Sequence, residues 1–119
     1  MAYVDGMLVP VPKKNLAVYR RMSTKIGKVW LEHGALEYNE CVADDVKPGK
    51  ITSFPQAVKL KPSEVVVFSW IVYKSRKDRD RAMKKVMSDP RLADMMNPKT
   101  MPFDGKRMFW CGFKPIVQL

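Results

Sequence analysis

The ten residues EVVVFSWIVY, Glu64–Tyr73, decide the fold that this sequence predicts. They are rich in β-branched and aromatic side chains and contain neither glycine nor proline, a composition typical of a central β-strand. Side chains alternate across a strand, so Ser69 and Tyr73 point to one face while Phe68 and Trp70 point to the other. Both faces are largely apolar, and we therefore expect the strand to be covered on both sides.

The other elements follow from changes in the period of apolar residues along the chain. Tyr3–Val11 and 106–113 have the composition of strands, and Ala35–Val42, with polar residues on both faces, is typical of an edge strand. The period becomes helical over 14–33 and again from Ser75, where a capping box begins. The predicted order is therefore strand, helix, strand, strand, helix, strand.

This order predicts one α+β domain over residues 1–119 with the ferredoxin-like βαββαβ sandwich. Right-handed crossovers place both helices on one face of an antiparallel sheet, in which the first and third strands are central. The helices are too few to cover the other face, which would leave more exposed apolar surface than a monomer tolerates. We therefore expect a homodimer that closes sheet to sheet into an α+β barrel.

Composition argues against several classes of protein. No segment reaches the ~20 consecutive apolar residues of a membrane-spanning helix, and the start, MAYVDGMLVPVPKK, has no basic region before its apolar run. Cys41 and Cys111 lie in apolar strand-like runs without the close spacing of a metal site, as buried reduced thiols do. We therefore expect a cytoplasmic protein with no membrane partner, no metal and no organic cofactor.

The net charge of +10 is concentrated in two segments. Residues 13–32 hold six lysines and arginines against one glutamate, and residues 74–85 hold seven against two aspartates, so each segment carries +5. Basic helices of this kind can contact nucleic-acid phosphates without reading bases. Tyr19 and Trp30 fall on the buried stripe of the first helix and leave no aromatic platform for bases, which favours solvated helix faces over a nucleic-acid partner.

Several motifs, spread over nearly the whole chain, are shared with one known family. They are YVDG at 3–6, GALEYNECVADDV at 34–46, GKITSF at 49–54, EVVVFSWIVY at 64–73, SDPR at 88–91, MPFDGKRM at 101–108 and GF at 112–113. Through them the chain resembles the bacterial family registered as domain of unknown function 1428. The resemblance implies a dimeric α+β barrel, a ligand cavity between sheet and helices, and no assigned activity. That family tends to carry two glycines before its last phenylalanine, whereas this chain has Cys111-Gly112.

Two residues are candidates for acid/base catalysis. Asp5 lies in an otherwise apolar strand, where a buried carboxylate must be paired or have a shifted pKa. The alternative for Asp5 is a structural ion pair with Lys106 or Arg107 on the neighbouring last strand. His33 is the one histidine of the sequence, and its ordinary pKa lies near neutrality. Its place at the end of the first helix equally suits stabilisation by the helix dipole.

We expect a small apolar pocket between the sheet, the first helix and either the 43–63 or the 97–105 segment. Its candidate ligand-binding residues combine an aromatic wall with polar points. They are Trp70, Asn39, Ser69, Arg107 and Asp104.

A second group of candidates is acidic: Glu40, Asp44 and Asp45. This group suits either a hard cation or salt bridges to Lys50 or Arg107. The sequence has no zinc spacing, phosphate-binding glycine loop or catalytic-triad signature.

The function predicted is therefore binding of an unidentified small organic molecule, with or without its conversion, by a cytoplasmic homodimer. The alternatives are a non-catalytic structural or stress-related dimer, and a weak polyanion binder that uses the basic helices 13–32 and 74–85.

Overall fold

One antiparallel sheet organises the computed structural model, which describes residues 2–119. Its four strands are β1 (Tyr3–Pro12), β2 (Glu37–Val42), β3 (Glu64–Tyr73) and β4 (Phe109–Phe113). They lie in the order β2-β3-β1-β4. The two central strands, β1 and β3, pair from Tyr3↔Tyr73 to Pro12↔Glu64, whereas β4 pairs with β1 only as far as Leu8. The ferredoxin-like topology is therefore confirmed, with β2 and β4 at the edges.

The helices of the described chain begin and end at sequence signals. They are α1 (Leu16–Glu32), α2 (Phe54–Ala57), α3 (Arg76–Met87) and α4 (Pro90–Met95). The predicted capping box is confirmed, because the Ser75 hydroxyl accepts from the Asp78 backbone N–H and donates to the Asp78 carboxylate at 2.9 Å. Gly34 follows α1 with a φ of 117°, in the left-handed region that favours glycine. No helix within residues 2–119 is long and apolar enough to cross a membrane.

The core lies between one face of the sheet and the helices. Trp30 of α1 packs edge to face on Tyr73 of β3, with ring centroids 6.2 Å apart. The opposite face, which we call the outer face, exposes 44% of Phe68, 49% of Phe109 and 59% of Phe113. The sequence predicts that β3 is apolar on both faces. The helices of the same chain cover one of these faces and leave the outer face exposed.

Two details of the last strand differ from the prediction. It begins at Phe109 rather than at residue 106, because residues 105–107 form a 3₁₀ turn that the Asp104 side chain caps. Cys111, the position at which the resemblance implies a glycine, lies exposed on the outer face. The next position does require glycine, because a Cβ at Gly112 would lie 2.7 Å from Cε2 of Tyr3.

The prediction that both cysteines are buried is wrong. Cys41 and Cys111 are exposed free thiols on β2 and β4. Cys41 pairs with Phe68 in the register, and Cys111 pairs with Gly6. Strand alternation therefore places both thiols on the outer face, at opposite edges of the sheet.

Candidate functional site

A cavity of about 270 Å³ lies between the sheet and the helices. Its walls are mainly apolar, with Met7 and Ile71 from the central strands, Trp30 from α1 and Met96 from the end of α4. Phe103 closes one side, so the 97–105 segment is the one that contributes to the pocket. The described lining includes no residue from 43–63.

Glu40, on the edge strand β2, forms the polar end of this cavity. One of its carboxylate oxygens accepts a hydrogen bond from the Tyr19 hydroxyl of α1, and the other accepts from the Tyr38 hydroxyl at 3.1 Å. The Ser23 hydroxyl lies 3.2 Å from that of Tyr38 and extends the network onto α1. All four side chains belong to residues that line the cavity.

The Glu40 carboxylate is partly buried and has no counter-ion. Among residues 2–119, no lysine, arginine or histidine lies within salt-bridge distance of it. Burial raises the pKa of Glu40 above its ordinary value, although the hydrogen bonds from Tyr19 and Tyr38 favour the anion. Burial and the nearby carboxylate also raise the pKa of both tyrosines, which therefore stay protonated and act as donors at neutral pH.

Ser69, on β3, is directly opposite Glu40 in the strand register. Its side chain is 4% exposed, and its hydroxyl has no hydrogen-bond partner within the described part of the chain. Buried hydroxyls in proteins are nearly always satisfied, and leaving one unsatisfied costs about 1–3 kcal/mol. Ser69 therefore offers a polar atom of a ligand a hydrogen bond that the protein itself does not use.

Asp5 also lines the cavity, but its carboxylate is fully engaged. Arg79 of α3 donates to it from Nη2 at 2.8 Å and from Nε at 3.2 Å, and the Tyr73 hydroxyl donates at 2.8 Å. The predicted ion pair therefore exists, but the predicted partners Lys106 and Arg107 are wrong. Helix α3 packs over β1 and brings Arg79 to Asp5, whereas the 3₁₀ turn before β4 holds Arg107 elsewhere.

His33 lies outside the residues that line the cavity and is not brought together with Asp5. Its Nε2 atom is 3.0 Å from the carboxylate of Asp89, the residue that caps α4. Arg91 joins the same group, with Nη2 2.8 Å from Asp89 and 2.7 Å from Glu32. Hydrogen bonds from Arg91 and His33 hold the pKa of Asp89 well below its ordinary value. This group connects the end of α1 to α4, one wall of the cavity.

Two of the predicted ligand-binding residues point to the outer face. Trp70 borders the cavity, but its ring packs against Phe68 with centroids 5.6 Å apart, so its backbone forms the border. Asn39 is the register partner of Trp70 and shares its orientation. Of the β3 and β2 candidates, only Ser69 therefore presents its side chain to the cavity.

The other two candidates, Arg107 and Asp104, hold the segment before β4 in place. Arg107 Nη2 lies 2.6 Å from the buried carboxylate of Glu64, and Nη1 donates to the Lys59 carbonyl at 3.1 Å. Arg107 Nε lies 3.1 Å from Asp104. Neither residue is in the cavity lining, so this ion-pair group supports the wall from outside.

The sequence places Glu40 in one acidic group with Asp44 and Asp45, whereas in the structure Glu40 alone of the three lines the cavity. Among the described residues, no set of acidic, histidine or cysteine side chains is arranged to hold a metal ion. Glu40 also makes none of the predicted salt bridges, because strand alternation turns it towards α1 rather than towards the loop that follows β2.

A signal for this site was present in the middle of α1. Glycine in a helix interior costs about 1 kcal/mol relative to alanine, so it usually has a packing reason. Here a Cβ at Gly27 would lie 2.6 Å from Cδ1 of Tyr38. The glycine therefore admits the ring that donates to Glu40.

A wider groove of about 630 Å³ approaches the same polar residues from outside, between α1 and β2. Tyr19, Ser23, Tyr38 and Glu40 line both spaces, and Arg20 and Lys28 lie along the groove. The polar network is therefore the partition between the cavity and the solvent side of α1.

Comparisons with known proteins agree on family and fold. The family model described as "Protein of unknown function (DUF1428)" matches residues 2–105. The chain is 49% identical over 117 residues to "Uncharacterized protein YbaA" of Escherichia coli strain K12, and the match covers 98% of both chains.

Similar solved structures include a dimeric ferredoxin-like protein from an uncultured marine organism, with a TM-score of 0.59, 8% identity, and coverage of 99% of this chain and 98% of that one. A putative antibiotic biosynthesis monooxygenase from Nitrosomonas europaea has a TM-score of 0.58 and 11% identity, covering 97% of this chain and 90% of that one. Such identities establish likeness of fold only.

Proposed function

The chain belongs to the DUF1428 family of proteins of unknown function, as its motifs predict, and we propose that it binds a small, mainly apolar organic molecule between sheet and helices. Ser69 carries this proposal, because its buried hydroxyl lacks a partner within residues 2–119 and faces a mainly apolar cavity. Ligand pockets typically combine apolar walls with a few polar groups that orient the ligand. A ligand oxygen at Ser69 would satisfy the hydroxyl.

The cavity also limits the kind of ligand. Its volume of about 270 Å³ suits a molecule of one or two rings. Among the described lining residues there is no lysine or arginine, so a ligand carboxylate or phosphate would find no counter-ion. The Nitrosomonas europaea protein of similar fold is described as a putative antibiotic biosynthesis monooxygenase. A small organic ligand in the cavity of this chain agrees with that description.

We further propose that the chain forms a homodimer through the outer face. Phe68, Phe109 and Phe113 are large side chains about half exposed on that face, and such a patch marks an interaction surface. The marine protein of similar fold is described as a dimer. We propose a cytoplasmic location, since two free thiols without a disulfide suit a reducing compartment.

We propose no nucleic-acid partner, because much of the positive charge of α3 is already paired. Three arginines of α3 are paired with carboxylates: Arg76 with Asp80, Arg79 with Asp5 and Arg81 with Asp78. These pairs lower the positive charge that the helix presents to phosphates.

Ligand binding is tested with two bicyclic probes of the same frame, 2-tetralone, which has one ketone oxygen, and tetralin, which has none. We expect 2-tetralone to bind roughly tenfold more tightly, because only the ketone satisfies Ser69. Ser69→Ala should abolish this preference and leave tetralin binding unchanged. The measurement is a titration followed by the amide NMR signals of Met7, Ile71 and Met96.

Failure of both probes to shift those signals would contradict the proposal. Sedimentation velocity at micromolar concentration tests the homodimer separately, and Phe113→Glu should produce a monomer. A dimer that binds neither probe would favour the non-catalytic alternative.

A further inference from the structure

Glu40 lies beside the proposed ligand position, and its carboxylate can still accept a proton from a ligand. A carboxylate has about two acceptor positions on each oxygen, and each Glu40 oxygen accepts one tyrosine hydroxyl. Each oxygen therefore keeps a lone pair for a third group. No cation competes for it among the described residues, in contrast to Asp5, whose oxygens are occupied by Arg79 and Tyr73.

The strand register places this acceptor next to an unused donor. Glu40 and Ser69 are directly opposed in the β2–β3 pair, and the Cβ atoms of such residues lie about 4.5–5.5 Å apart. In a carbonyl compound the oxygen is one bond from the carbonyl carbon, and each α hydrogen is two bonds from that same carbon. One small molecule can therefore place its oxygen at Ser69 and its α hydrogen at Glu40.

We propose that the ligand is a neutral, enolisable carbonyl compound and that Glu40 is the catalytic base that moves its α proton. In the step, the Glu40 carboxylate takes the α proton, the electrons of the C–H bond form a C=C bond, and the carbonyl π electrons move to oxygen. Ser69 donates a hydrogen bond to that enolate oxygen. Glu40 then returns the proton to the same or to a conjugated carbon, so atoms balance without oxidant or cofactor. This inference rests on the proposed ligand site.

The surroundings of Glu40 support this role. A base that is partly shielded from water and left without a cation is a stronger base, and burial raises the pKa of Glu40 above its ordinary value. The groove behind the network gives Glu40 contact with the solvent side of α1. A proton taken in the cavity can therefore exchange with water without passing the ligand.

The test follows exchange of the α protons of 2-tetralone in D₂O by ¹H NMR, with binding measured separately. We expect the wild type to accelerate exchange over buffer and Glu40→Gln to reduce the enzyme-catalysed rate by at least ~10²-fold, as loss of a general base does. Ser69→Ala should lower the rate by roughly 10²-fold through loss of the oxyanion donor. Asp44→Asn, which removes an exposed carboxylate from the loop after the same strand, is the matched control and should leave the rate unchanged.

The outcomes separate this inference from the proposed function. Binding of 2-tetralone without exchange above buffer, or with exchange that survives Glu40→Gln in a folded variant, overturns the catalytic role and leaves ligand binding intact. Loss of binding itself overturns both. A third probe, 2-aminotetralin, tests the ligand class, because tighter binding of this cation than of the ketone, lost in Glu40→Gln, would make Glu40 a counter-ion rather than a base.

Discussion

Asp5 and Glu40 are carboxylates on the same face of one sheet, and both accept hydrogen bonds from tyrosine hydroxyls. Asp5 lies on the central strand β1, where Arg79 from α3 offsets its charge at 2.8 Å. Glu40 lies on the edge strand β2, where Tyr19 and Tyr38 are its donors and desolvation raises its pKa. Asp5 is buried and Glu40 is partly buried, so the kind of partner, a cation or a phenol, separates a structural carboxylate from one with capacity for a ligand.

The largest expected effect comes from removing the cation of Asp5. Arg79→Met should lower the free energy of unfolding by about 3–5 kcal/mol, because it leaves a buried carboxylate unpaired. Urea denaturation measures the change. Arg81→Met is the control, since Arg81 lies on the same helix in an exposed pair with Asp78 and should cost under about 1 kcal/mol. Equal losses in the two variants would show that Asp5 does not depend on Arg79.

The packing that positions Tyr38 gives the next largest effect. Gly27→Ala adds a Cβ 2.6 Å from the Tyr38 ring, and we expect it to destabilise by about 1–3 kcal/mol despite the helix preference of alanine. In a Tyr38→Ala background the same change should stabilise by about 1 kcal/mol, because only the helix preference remains. Thermal and urea denaturation of the wild type, the two single variants and the double variant measure the coupling energy between Gly27 and Tyr38. A coupling energy near zero would remove the role assigned to Gly27.

Two serines of the cavity should respond in opposite directions. Ser69→Ala removes an unsatisfied buried hydroxyl and should stabilise the ligand-free protein by about 1 kcal/mol. Ser23→Ala removes a hydroxyl that is bonded to Tyr38 and should destabilise by about 1 kcal/mol. Both values come from urea denaturation without ligand. Destabilisation by Ser69→Ala would indicate that its hydroxyl is satisfied after all.

The smallest effect is a change in pH dependence. Because the pKa of Glu40 is higher in the folded than in the unfolded chain, the folded state binds more protons between the two values. The free energy of unfolding should therefore fall as pH rises from about 4.5 through the folded pKa, and Glu40→Gln should remove this fall. The stability of the variant relative to wild type should increase with pH and then level off.

Few other groups near Glu40 interfere with that measurement. Tyr19 of α1 and Tyr38 of β2 stay protonated in this pH range because their pKa values are raised, and the adjoining groove holds the basic side chains Arg20 and Lys28. Asp44→Asn, which removes an exposed carboxylate from the loop after β2, is measured beside Glu40→Gln as the control. A difference between Glu40→Gln and wild type that does not vary with pH would contradict the raised pKa of Glu40.

Local patterns predicted the elements well and their partners poorly. The bounds of β3 agree with the sequence to the residue, and the capping box at Ser75 is where the spacing places it, since both depend on neighbours in the chain. The sequence predicts Lys106 or Arg107 of the last strand as the partner of Asp5, although the cation comes from α3. The sequence predicts a last strand from residue 106, whereas the strand begins at Phe109, because a 3₁₀ turn at residues 105–107 has no strong sequence signal.

The order of elements, the central pair of strands and the two-sided apolar character of β3 were determined by the sequence alone, because period and turn residues act over a few positions. Only the tertiary structure decided which carboxylate received a cation. Arg79 and Asp5 are 74 positions apart, and Tyr19 and Glu40 are 21 apart. Their meeting depends on how each helix lies across the sheet, and this is set by packing of whole faces rather than by any local pattern.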